Sequence, residues 1–227
     1  YVMDKEGKKE LVHISFDKTR AIDLVRKLMT YGVFVEAYVK AEIFGQYPTV
    51  GNETLQAERF FRPNIRPFIL KTRTMVPDLL AHLESLPEGP EKIQIFYGDE
   101  RIRERILADL RDDFQGAATD GKGRERFYDV LESSEGNLEF VLPHTTKGTA
   151  VEALANHWGY TPDEVMTIGD SENDLSMIRF AGASVAMGNA RDNVKAAARY
   201  ETTDNNNYGV ARALYSAIAH NRELEGK

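Results

Sequence analysis

Residues 167–178, Thr-Ile-Gly-Asp-Ser-Glu-Asn-Asp-Leu-Ser-Met-Ile, crowd three carboxylates (Asp170, Glu172 and Asp174) and one amide (Asn173) into five positions. The cluster follows Val165 to Ile168, which has the composition of a buried strand, and precedes helix-spaced apolar residues at Leu175, Ile178 and Ala181. Two kinds of chemistry suit acids at such a junction. One is capping, with Asp170 or Ser171 as N-cap and acids in the first turn, which needs no ligand. The other is a hard cation on oxygen donors. Mg²⁺ suits it, because this ion takes one or two carboxylates and completes its shell with water and substrate phosphate. Carboxylates about 5 Å apart repel by about 3 kcal/mol at an effective dielectric near 20, so a counter-charge, metal or lysine, is expected. An EF-hand loop starting at Asp170 is excluded, since its sixth and twelfth positions hold Leu175 and Ala181 instead of Gly and Glu. The lysine at hand is Lys147, which opens a helix in Thr-Thr-Lys-Gly-Thr. A lysine in a first turn opposes the helix dipole by a few tenths of a kcal/mol. Alone it reads as a surface charge; beside an acidic strand end it becomes a candidate neutraliser of phosphate.

These residues depend on the elements that carry them. From Thr145 helices and strands alternate: a helix through Val151, Leu154, Ala155 and Trp158 stopping at Gly159, a strand at 165–168, and a helix stopping at Gly182. A strand at 184–187, a helix at 193–198, a short strand near 200–202 and a helix over 210–220 follow. Such alternation predicts a parallel, doubly wound sheet, whose ligands bind beyond the carboxyl ends of the strands. Residues 1–143 read differently. A strand at 11–16, a helix at 19–31 and a strand at 33–39 with one aliphatic and one mixed face come first. A helix at 77–86, a strand at 92–97 and a helix from Asp99 to about Phe114 follow. A Gly-rich loop at 116–123 then leads to a hairpin of 127–131 and 138–142. This predicts an open, mainly antiparallel α+β sheet with helices on one face. Tyr38, Lys40, Glu42 and Gln46 read as its solvated surface, the alternative being that they face a substrate cleft.

Bulk composition narrows the function classes. With 36 acidic and 29 basic residues the net charge is −7, which argues against a phosphate-backbone binder, so no nucleic acid partner is expected. The absence of cysteine excludes disulfides and thiol catalysis. No run nears the roughly 18 apolar residues of a membrane span, and the chain reads as cytoplasmic without a membrane partner.

The motifs Lys147-Gly, Gly169-Asp170-Ser-Glu-Asn173-Asp174 with Met177, Val185-Ala-Met-Gly-Asn-Ala190 and Gly209-Val-Ala211 resemble the haloacid dehalogenase-like superfamily, specifically its Cof-type phosphatases. The resemblance spans Lys147 to Ala211 and implies a Rossmann-like core, of which 144–227 would be the C-terminal part, with 1–143 as a substrate-specificity cap. It further implies Mg²⁺-dependent hydrolysis of small phosphate monoesters, phosphosugars among them, through an aspartyl-phosphate. By matching positions Asp170 would ligate Mg²⁺, Asn173 would bind the transferring phosphoryl group and Lys147 would neutralise it. Asp174 would hold Lys147 or a metal-bound water, and Ser171 would sit in the metal's outer shell. Glu172 is expected to face solvent and Asn189 to form a turn. The family's nucleophile and its Ser/Thr motif are not found. Since the chain opens on Tyr1 and its C-terminal sheet is small, both are expected upstream, and the 227 residues alone are expected to be inactive. Two alternatives stay open: a non-catalytic module binding a phosphorylated ligand, and a sugar phosphomutase.

Overall fold

The computed structural model describes residues 2, 3, 7, 9–111, 126–132 and 135–226. The strands are β1 (Val2–Met3), β2 (Glu10–Val12), β3 (Phe34–Val39), β4 (Glu42–Gln46), β5 (Thr74–Met75), β6 (Lys92–Phe96), β7 (Asp129–Leu131), β8 (Asn137–Val141), β9 (Met166–Gly169), β10 (Ala183–Ala186) and β11 (Tyr200–Glu201). The helices are α1 (Lys18–Met29), α2 (Glu53–Phe60), α3 (Arg66–Thr72), α4 (Leu79–Ser85), α5 (Glu100–Asp109), α6 (Lys147–Trp158), α7 (Leu175–Phe180), α8 (Asp192–Ala197) and α9 (Gly209–Glu225). The expected loop at 116–123, the end of the helix expected to reach Phe114 and positions 133–134 of the hairpin link lie outside the described residues. Among the described residues no helix is long and apolar enough to cross a membrane.

The chain forms two compact units, one of His13–Pro143 and one of Val2–Val12 with His144–Lys227. The N-terminal strands thus fall to the second unit, where β2 lies against α6, and not with residues 13–143 as the sequence grouped them.

In the first unit six strands run in the order β5-β4-β3-β6-β8-β7, antiparallel throughout except for the β4–β5 pair. Successive side chains point to opposite faces. Val35, Ala37, Ile93, Ile95, Leu138 and Phe140 therefore form one apolar face, packed on Val25 and Leu28 of α1, Leu79 and Leu83 of α4 and Ile106 of α5. The other face is not left bare. Phe34 and Phe96 pack with Ala57 and Phe60 of α2 and Ile69 of α3, so helices flank both sides of the sheet rather than one.

Further along that second face, solvation gives way to a buried polar network. The fully buried Glu36 carboxylate accepts from Arg73 Nε at 3.0 Å and Nη2 at 3.1 Å, and the Tyr38 hydroxyl donates to Glu36 at 2.8 Å. Burial first, then the Glu36 charge, pushes the Tyr38 phenol up. Gln46 is likewise committed, its Oε1 accepting from the Leu79 N–H at the start of α4. Of the four residues read as solvated surface, only Lys40 and Glu42 are exposed.

In the second unit β9, β10 and β11 form a parallel sheet in the order β11-β10-β9. Its core joins Ile178 of α7, Ala186 of β10 and Val194 of α8 with Met187 and Ala190. Gly169 pairs with Ala186, so β9 and β10 end level and the loops after them leave the sheet side by side. Among the described residues β9 is paired along one edge only.

Candidate active site

Asp170 is the first residue beyond β9. Ser171, in extended backbone, caps a 3-10 turn over Glu172–Asp174 that runs into α7. The turn folds Asp174 back beneath the strand end, where it is 4% exposed. Its Oδ2 accepts from the backbone N–H of Asp170 at 2.9 Å and of Ser171 at 3.1 Å. Its Oδ1 accepts from Lys147 Nζ at 2.5 Å. Gly169 is required for this closeness: a Cβ there would lie 2.5 Å from the Asp174 Cβ.

Lys147 is the first residue of α6, after the N-cap Thr146, whose hydroxyl accepts from Thr149 N at 3.2 Å. The same helix start is held to α7 by Gly148, whose N–H donates to Ser176 Oγ at 2.9 Å. A side chain at 148 would strike the Ser176 backbone at 2.7 Å. The lysine faces the helix dipole unfavourably, and the Asp174 carboxylate offsets that cost. Burial alone would raise the Asp174 pKa; the Lys147 ammonium and the two backbone N–H groups outweigh it, and the carboxyl is held below the usual range. Lys147 remains half exposed, and an ammonium has three donors, so the pair with Asp174 leaves donors for an incoming anion.

Asp170 is held differently. Ser171 Oγ donates to its Oδ1 at 3.0 Å, and Asn189 Nδ2 donates to its Oδ2 at 3.0 Å. Its backbone carbonyl accepts from Arg191 N at 3.1 Å. A carboxylate offers about four lone-pair sites, so each oxygen keeps one for a further partner.

The structure thus brings Lys147, Asp170 and Asp174 together at one strand end. Asn173 lies exposed on the same turn, with no hydrogen bond from its side chain to the described residues. Glu172 is exposed too, with long surface contacts to Arg191 at 3.4 Å and Asn193 at 3.3 Å. Sequence reasoning missed the contacts of Ser176 and Asn189, which join segments 28 and 19 residues apart.

Among the described residues no group of three or more His, Cys, Asp or Glu could hold a metal ion. Asp174 is spent on Lys147 and backbone N–H groups, so Asp170 supplies the carboxylate with lone pairs to spare. That donor set fits one corner of a Mg²⁺ shell, an ion that takes few protein ligands and fills its remaining positions with water and phosphate oxygens.

Residues 1–214 match the family model of haloacid dehalogenase-like hydrolases. The chain belongs to that family. Among curated proteins it is 34% identical over 149 residues to a putative phosphatase, YxeH, of Bacillus subtilis, a match covering 64% of this chain and 50% of that protein. It is also 43% identical over 86 residues to a chloroplastic endoribonuclease, YBEY, of Arabidopsis thaliana, covering 38% of this chain and 15% of that protein. The chain therefore spans half or less of the length of these relatives. Among solved structures it superposes on a haloacid dehalogenase-like hydrolase from Bacteroides thetaiotaomicron with a TM-score of 0.73 and 27% identity, over 95% of this chain and 72% of that one. Family membership accords with the strand-end motifs and with the parallel pairing of β9, β10 and β11.

Proposed function

We propose that the intact protein hydrolyses small phosphate monoesters, phosphosugars among them, in a Mg²⁺-dependent reaction whose phosphoryl acceptor is an aspartate outside these 227 residues. The observation that carries this reading is the division of labour at the end of β9. One carboxylate, Asp174, pins a lysine while the other, Asp170, keeps lone pairs open beside it. A dianionic ester beside two carboxylates and one lysine leaves negative charge in excess, and a divalent cation is the natural remedy. Asp170 would hold that ion. When bound, Mg²⁺ supplies Lewis-acid polarisation of the phosphoryl oxygens.

The chain's own residues bind and orient the ester. The free donors of Lys147 meet a phosphoryl oxygen, and Asp174 fixes the lysine so that no side-chain reorganisation accompanies charge development. Asn173, with an amide free at the surface, would donate to the same group. Attack by the aspartate forms an oxygen–phosphorus bond as the ester bond breaks and the leaving alkoxide takes a proton. Water then cleaves the acyl phosphate, releasing inorganic phosphate and restoring the carboxylate. Residues 13–143 would choose the substrate.

The test is phosphate release from an aryl phosphate and a sugar phosphate by the intact protein. Turnover that stops with a chelator and returns with Mg²⁺ is expected. Tight ester binding without turnover at saturating Mg²⁺ would overturn the proposal in favour of a binding module, and transfer to a second hydroxyl in place of water would mark a mutase.

A further inference from the structure

Asn189 forms the turn after β10, in Met-Gly-Asn-Ala, and its contacts reach beyond that turn. Because β9 and β10 end level, Asn189 faces Asp170 across the gap between their loops. An asparagine side chain could lie either way round, and here the backbone decides. The N–H of Asn205 donates to Asn189 Oδ1 at 3.0 Å, so Nδ2 is the atom left to face Asp170 Oδ2, also at 3.0 Å. The Asn205 N–H is itself fixed. Asp204 caps the 3-10 turn Asn205–Asn207, accepting from the N–H groups of Asn206 and Asn207 at 2.9 Å each. The two loops are tied once more by the Gly188 N–H donating to the Thr203 carbonyl at 3.2 Å.

From this chain of contacts we infer that Asn189, oriented by the Asp204–Asn207 turn, is a positioning residue that sets the rotation of the Asp170 carboxylate and so the affinity of the metal site. The inference rests on the proposed role of Asp170 as metal ligand. With Ser171 on Oδ1 and Asn189 on Oδ2, the carboxylate plane is clamped from both sides, and the lone pair left on each oxygen has a fixed direction. Partners of this kind behind a metal ligand usually carry tenfold or more in metal affinity. Asn189 needs no contact with the ion for this effect.

Two variants remove the device at different points. Asn189→Ala deletes the amide. Asn205→Pro keeps the Asn189 amide but deletes the N–H that orients it, together with the exposed Asn205 side chain, and the fold accepts proline there. Position 205 is the first residue of its turn, and Asp204 already has the extended backbone, φ −72° and ψ 175°, that precedes proline. Mg²⁺ affinity is measured by calorimetry on the intact protein without substrate, alongside urea midpoints in metal-free buffer. Both variants are expected to weaken Mg²⁺ by about tenfold, with metal-free midpoints close to the parent. Parental Mg²⁺ affinity in both, while Asp170→Ala abolishes binding, would overturn the positioning role and leave the metal-ligand reading intact. Parental affinity in Asp170→Ala itself would remove that reading and the inference with it.

Discussion

Asp170→Ala is expected to lower kcat/KM of the intact protein for a phosphate monoester by about 10³-fold, because a metal acting on a phosphoryl group supplies several kcal/mol and about 4 kcal/mol corresponds to that factor. Substrate affinity without metal should change far less, since Lys147 is held by Asp174 and not by Asp170. Fold stability should also survive. Asp170 is only half buried, and its partners Ser171 and Asn189 can turn to water. Initial rates across a Mg²⁺ titration, with an unfolding curve for the same sample, check both halves. Activity within a few-fold of the parent would remove Asp170 from the mechanism.

Asp174 carries the second large effect, on stability. Asp174→Ala leaves the N–H groups of Asp170 and Ser171 without their acceptor and Lys147 without its counter-charge. A lost charged acceptor in a buried turn costs about 2–4 kcal/mol. Lys147 is half exposed, so water recovers part of its loss and the backbone N–H groups account for most of the effect. The pH dependence follows from the depressed carboxyl. The unfolded chain titrates near the ordinary aspartate value of about 3.9, the folded one below it. The stabilisation is therefore complete above that unfolded value and disappears as pH falls through the lower folded value. Urea midpoints of the parent and of Asp174→Asn should differ most at neutral pH and converge below about pH 4. A difference that stays constant down to pH 3 would contradict the pairing.

The strand-and-helix alternation after Thr145 was legible because β9 and β10 are short, mostly apolar runs, each preceded by a helix that stops at or next to a glycine, Gly159 and Gly182. The strand-end acids and Lys147 were legible as types. Periodicity could not reveal which carboxylate Lys147 takes; only the family resemblance pointed to Asp174. Asp170 and Asp174 are equally acidic in sequence, and the 3-10 turn makes the choice by folding Asp174 back onto two N–H groups. Asn189 was read as a turn former because its partners lie at Asp170 and Asn205, distances along the chain that no local pattern spans. In the first unit, α2 and α3 escaped notice. They are 8 and 7 residues long, and their buried residues answer to Phe34 and Phe96 on the sheet rather than to a long helical stripe. Tyr38 misled for the opposite reason: on an alternating strand it looks solvated until the buried Glu36–Arg73 pair arrives to take its hydroxyl.

The division between a lysine-pinning Asp174 and the metal-binding role proposed for Asp170 is tested most directly by a crystal structure of the intact protein with Mn²⁺ in place of Mg²⁺ and a phosphate analogue. Anomalous scattering would locate the ion. It should lie within coordination distance of the Asp170 carboxylate, with Lys147 still on Asp174 and a free donor of its ammonium on the analogue. An ion bound to Asp174 with Lys147 displaced, or one remote from Asp170, would contradict the account.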